Sequence, residues 1–221
     1  MISHSVRMAA LVAALLAVPG LQAAEVAGVK LDEQIKVGAS ELVLNGAGLR
    51  TKVFIKVYVG ALYVTEKANT PAGLLDAATP RRMSMRMLRD IDSDTLYGAL
   101  RDGLKDNHSE AELAALKGPI DQFAEIMKKI GNARNGDTVA IDFTADGVGV
   151  SFNGEARGKV ANASFARALL KVWLGDNPVD ASLKEAMLGG GTIKGGERKK
   201  WTRSGSRATR PACRPRSASS M

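Results

Sequence analysis

Four dipeptides punctuate this chain: Asn45-Gly46, Asn135-Gly136, Asp146-Gly147 and Asn153-Gly154. Each joins two residues that tolerate a left-handed backbone, which is what a two-residue β-hairpin turn demands. The short segments that flank such turns read as strands folded back on one another. They predict a hairpin about Asn45-Gly46 and a meander of strands over 137–144, 147–152 and 155–160.

Residues 49–65 read as one long β-rich run. Its odd positions Leu49, Val53, Ile55, Val57, Val59 and Ala61 are apolar, whereas Arg50, Lys52, Phe54, Lys56 and Tyr58 mix charge with aromatic rings. A period of two assigns the odd face to the core and the even face to wetter surroundings. A further strand is expected over 82–88, with Met83, Met85 and Met87 on one face. That stripe is either core or the lining of an adaptable apolar pocket.

Helices fill the remainder. Ser93 can cap one that carries Leu96, Leu100 and Leu104, and Ser109 with Glu112 forms a capping-box pattern ahead of Leu113 and Leu116. Gly118-Pro119 is expected to break that helix and start the next, which buries Phe123, Ile126, Met127 and Ile130. Asn162 caps a helix through Phe165, Leu169, Leu170 and Trp173 that Gly175 stops, and Asp180 starts a last short one. Strands first, helices in the middle, a meander and closing helices make an α+β domain.

The ends of the chain differ from this body. Arg7 precedes an apolar run over 8–18, then Pro19-Gly20 and the small residues Ala23 and Ala24. This is the layout of an export signal over 1–24, too short to span a bilayer, which takes about 20 apolar residues. The mature chain is therefore expected to be periplasmic or secreted. Residues 190–221 are rich in Gly, Ser, Arg and Pro and lack hydrophobic periodicity, so a disordered tail is expected there. Nine basic residues after Gly191, against Glu197 alone, account for the entire net charge of +8. The domain over 25–189 is electrically balanced, which removes the charge argument for nucleic-acid binding. The tail itself reads as an arm for an anionic partner, a solvated terminus, or translation beyond a natural stop.

Chemistry-bearing patterns are few. The single cysteine, Cys213, lies in the tail, and His108 is the only histidine beyond the export segment. Neither a soft-metal site nor a serine triad can be built from these. Phosphate-cradling and nucleophile-elbow motifs are missing too. The acids Asp90, Asp92 and Asp94 cluster where a helix begins and read as dipole-complementing caps. No catalytic residue, metal or cofactor is assigned.

The stretch from Asn45 to Tyr63 holds Gly-Leu-Arg50 followed by Lys56-Val-Tyr-Val-Gly-Ala-Leu-Tyr63, and Asn162 to Gly175 reads Asn-Ala-Ser-Phe-Ala-Arg-Ala-Leu-Leu-Lys-Val-Trp-Leu-Gly. In these two segments the chain resembles the chalcone isomerase-like family, in its bacterial exported branch, over residues 29–188. The resemblance implies an open-faced β-sandwich, a large antiparallel sheet backed by helices. It also implies either an intramolecular lyase or a binder of fatty acids, both built on one arginine. Arg50 matches that arginine, and Ser164 falls where the enzymes carry Ser or Thr. Tyr58 replaces their strand threonine, while their active-site tyrosine maps near Asp92 and their asparagine near Ala99.

These departures favour a non-catalytic binder of a fatty-acid-like or other amphipathic carboxylate over an isomerase. The expected ligand contacts are Arg50, Tyr58 and Ser164. A ligand-free interaction protein of the cell envelope is the remaining alternative. Arginine suits a carboxylate because its planar fork donates two parallel hydrogen bonds and never loses its charge. One geometric demand follows. Eight positions separate Arg50 from Tyr58, about 26 Å along a straight strand, so the run must bend or be interrupted for both to reach one head group.

Overall fold

Residues 24–76 and 78–190 are described by the computed structural model of the protein. The export segment and the basic tail, including Cys213, lie outside the described residues except for Ala24 and Gly190 at their inner ends. The chain opens with the short strands β1 (Ala24–Val26), β2 (Val29–Leu31) and β3 (Gln34–Val37), followed by the long pair β4 (Ser40–Lys52) and β5 (Ile55–Val64). After α1 (Pro71–Leu75) come β6 (Arg81–Met87), β7 (Ile91–Asp92), α2 (Ser93–Asn107), α3 (Glu110–Ala115) and α4 (Lys117–Lys128). β8 (Asn132–Ala133), β9 (Thr138–Thr144), β10 (Gly147–Phe152) and β11 (Glu155–Val160) precede α5 (Ala163–Leu174) and α6 (Ala181–Glu185). A wider helical turn over Ala186–Gly190 ends the described chain.

Seven strands form one antiparallel sheet in the order β11-β10-β9-β6-β5-β4-β3. Helices cover one face of it. There Leu62, Met83, Met85, Met87, Ile141 and Val150 meet Leu100, Phe123, Phe165, Leu169 and Trp173 in the main core. The other face carries a smaller cluster, Leu42, Leu44, Ala47, Val59, Ala61 and Tyr63, roofed in part by Ala24 and Leu31 of the β1–β2 hairpin. This is the open-faced sandwich that the resemblance implied, α+β with a large antiparallel sheet backed by helices.

The meander turns at Asn153-Gly154 and the strands around it lie where the sequence puts them. Asn162 and Asp180 cap α5 and α6 through Phe165 N and Leu183 N. Asp92 rather than Ser93 is the N-cap of α2, its carboxylate accepting from Thr95 N at 2.7 Å. The break after α3 falls at Leu116, one turn before Pro119. The three methionines are fully buried and belong to the core.

Two expectations about β4 and β5 are corrected. Asn45-Gly46 is not a hairpin turn but sits inside β4, where Leu44 pairs with Tyr63 and Gly46 with Leu62, leaving Asn45 as a bulge. Its amide is saturated by long-range partners: Nδ2 donates to Ala68 O (2.9 Å) and Met187 O (2.6 Å), and Oδ1 accepts from Ala68 N (2.8 Å). Gly46 is demanded by close approach, since a Cβ there would lie 2.2 Å from Ala186 O.

The hairpin itself turns at Val53-Phe54, both in the left-handed region at φ +48° and +65°. No residue there announces a turn. The face assignment is corrected in part: odd Val59 and Ala61 are buried, but in the smaller cluster, whereas beyond Asn45 the even positions Gly46, Gly48, Arg50, Tyr58, Gly60 and Leu62 face the helices. The bulge at Asn45 swaps the alternation along β4, so Leu42 and Leu44 share a cluster with Ala47 and Leu49.

Candidate functional site

The hairpin turn makes Arg50 and Tyr58 cross-strand neighbours. Residues paired across a sheet lie on one face a few ångströms apart, so the demand for an interrupted run is met. The Arg50 guanidinium carbon stands 5.7 Å from the centre of the Tyr58 ring, within cation–π range. Beneath it the Tyr58 hydroxyl accepts a hydrogen bond from Trp173 Nε1 at 3.0 Å, in the buried core. Burial raises the Tyr58 pKa to about 12, partly opposed by the nearby Arg50 charge and the Trp173 bond. Tyr58 therefore stays a neutral phenol at any physiological pH.

A second bulge shapes the cleft above. Arg50 pairs with Tyr58 but Thr51 with Lys56, so Val57 is an extra residue in β5. Tyr58 turns into the core while Val57 joins Ile55, Lys52 and Arg50 on the wall of an open cleft of about 570 Å³. Pockets of this size suit a small organic ligand. The facing wall is the start of α2 with the residues before it, of which Ile91 and Leu96 supply apolar surface and Ala99 and Gly98 leave room. The cleft thus combines an apolar lining with the cations Arg50, Lys52 and Arg89 and the acids Asp90, Asp92 and Asp102.

The charges are not equivalent. Asp90 accepts from Asn135 N at 2.8 Å, and Asp92 accepts from both the amide and the hydroxyl of Thr95. Those two bonds hold the Asp92 carboxyl below the usual carboxylate range. Asp102 lies 3.5 Å from its neighbour Arg101. Arg50, only partly exposed, makes no ion pair with any acid among the described residues. Asp180, which contributes to the field at Tyr58, is occupied by Thr51 N and Leu183 N at 3.0 Å each. The guanidinium fork is left facing the cleft with no internal carboxylate to hold.

Of the three residues expected to contact ligand, the structure brings two together. Tyr58 lies under Arg50 rather than on the cleft wall, with its hydroxyl turned to Trp173. Ser164 is exposed in the first turn of α5, nine positions from Trp173 and so about 13 Å away along the helix axis. It does not line the cleft. Asp92 and Ala99, near which the resemblance places the enzymes' tyrosine and asparagine, do line it with Arg50. Sequence reasoning missed Trp173 as the partner of Tyr58 and Asp180 as the acceptor for Thr51. A tryptophan N–H can only donate, which was the available signal that a buried acceptor had to meet it.

His108 ends α2, its Nδ1 donating to Leu104 O at 2.9 Å, away from the cleft. Among the described residues no group of three or more His, Cys, Asp and Glu side chains could hold a metal ion, and no helix is long and apolar enough to cross a membrane.

A family model described as chalcone isomerase-like matches residues 23–189. Among solved structures, a fatty-acid binding protein of Arabidopsis thaliana is similar at 18% identity and a TM-score of 0.57, covering 73% of this chain and 92% of its own. That likeness concerns the fold. No curated protein matches the sequence.

Proposed function

This chain belongs to the chalcone isomerase-like family, and we propose that it is a non-catalytic binder of a fatty-acid-like or other amphipathic carboxylate. Arg50 takes the head group bidentately, and the apolar tail lies along Val57, Ile91 and Leu96. Tyr58 positions the guanidinium by its ring and does not itself touch ligand. The observation that carries this reading is the Arg50 fork, which has no carboxylate partner among the described residues and lines a cleft beside Val57, Ile91 and Leu96. A partly dehydrated cation is costly without a counter-charge, and a ligand carboxylate supplies one.

The similar Arabidopsis protein is a fatty-acid binding protein by name, which agrees with this reading. Isomerisation is disfavoured by what faces Arg50. Where the enzymes of the resemblance present a phenol, Asp92 presents an ionised carboxylate already committed to Thr95. The export signal over 1–24 supports membership of the exported bacterial branch of the family, with the mature chain in the periplasm or outside the cell.

Delipidated protein titrated with palmitate is expected to bind, and Arg50→Ala to bind at least tenfold more weakly. Turnover of a chalcone that Arg50→Ala abolishes would overturn the binder in favour of the lyase. Equal palmitate affinity in both forms would overturn the site. Native mass spectrometry of protein from its own host should find an acidic lipid bound.

A further inference from the structure

The end of the β4–β5 hairpin is built against the interests of folding. Val53, Phe54 and Ile55 are 79%, 98% and 49% exposed, and they are the exposed large apolar residues among those described. Three such side chains in succession at one tip are not the scattered apolar exposure of an ordinary surface. The backbone adds a second cost. Val53 and Phe54 both hold positive φ, and for a β-branched residue that conformation is a true outlier. The same molecule makes its β10–β11 turn with Asn153-Gly154, the residue types this geometry prefers. Packing within the described residues does not compensate the tip, because Phe54 projects almost wholly into solvent.

Charge specifies what does. Lys52 and Lys56 flank the three apolar residues and are exposed, and between Glu41 and Glu66 the sequence contains no acid at all. An apolar tip collared by lysines matches the interface of an anionic bilayer, where rings and aliphatic side chains enter the acyl boundary while cations meet the head groups.

We infer that the Lys52–Lys56 tip is a docking element for an anionic lipid surface, with Phe54 as its inserted residue. Lys52, Val53 and Ile55 also belong to one wall of the cleft, so docking brings that wall to the lipid from which an amphipathic ligand would enter, while Asp90, Asp92 and Asp102 belong to the facing wall. Docking does not depend on ligand binding and can hold where the ligand reading fails.

The test uses the full chain with vesicles of phosphatidylcholine containing one third phosphatidylglycerol, and with pure phosphatidylcholine vesicles. Cosedimentation is expected with the anionic vesicles and to fall at least tenfold in Phe54→Ser. Lys52→Glu with Lys56→Glu is expected to remove the preference for anionic lipid. Phe54→Trp should show a blue-shifted emission on adding anionic vesicles. Phe54→Ser leaves the basic tail untouched, so binding that survives it within threefold would assign attachment to the tail and overturn the proposal. Failure of the wild-type chain to bind either vesicle would overturn it too, and leave a protein partner as the occupant. Because Phe54 is almost wholly exposed, an unchanged thermal melt is expected to accompany each loss.

Discussion

Tyr58 supports Arg50 on its ring face while accepting Trp173 Nε1 on its hydroxyl, so one side chain couples the cleft to the centre of the helix layer. The ring and the hydroxyl have separable duties, and substitutions can divide them.

Tyr58→Phe keeps the ring under Arg50 but leaves the buried indole N–H without an acceptor. Stability in urea should drop by about 1–3 kcal/mol, the cost of a buried donor left unpaired. Palmitate affinity should stay within about threefold of the wild type. Trp173→Phe should cost less when Tyr58 is already Phe than when it is not, since the two changes remove one interaction.

Arg50→Lys retains the charge and loses both the fork and the stacking on Tyr58. Isothermal titration with palmitate should give an affinity intermediate between the wild type and Arg50→Ala. The Ala variant should lie tenfold to about a hundredfold below wild type, as expected for hydrogen bonds to a charged group.

Alkaline pH should destabilise the fold in a defined window. Burial raises Tyr58 and Tyr63 each to about 12 from an ordinary 10. Between those values the folded state holds phenolic protons that the unfolded chain has released. The stabilisation is complete below pH 10 and lost as pH rises through 12, a tenfold difference in proton affinity being worth about 1.4 kcal/mol. Urea midpoints measured from pH 9 to pH 12 should fall over the upper part of that range. Tyr58→Phe should flatten the decline.

Gly46→Ala should destabilise by more than about 2 kcal/mol, because its Cβ would meet the backbone carbonyls of Ala186 and Met187. Gly98→Ala, in α2 with open space around it, should instead stabilise by about 0.5–1 kcal/mol. Thermal melts of the pair give the two signs directly.

Replacing Val53-Phe54 with Asn-Gly should raise stability by about 1–2 kcal/mol, since both positions then accept their positive φ without strain. The same change should weaken cosedimentation with anionic vesicles. A turn that folds better and docks worse is the signature of a tip kept for its surface.

The sequence by itself determined the α+β class, the meander, the helix caps at Asn162 and Asp180, and the arginine on which the family resemblance turns, but not the short strands β1, β2 and β3 or the helix α1. These are properties of neighbours along the chain: capping, turn propensity and alternation act over a few residues and leave local marks. Tertiary structure alone decided that Asn45-Gly46 is a bulge beneath Ala186 and Met187, and that the chain turns at Val53-Phe54. Asn-Gly serves a turn and a close packing contact equally well, and Val-Phe carries no turn chemistry. The placement of Arg50 over Tyr58 follows from those two choices of register. Register is fixed by what packs across the sheet, and one extra residue in a strand sends every later side chain to the opposite face.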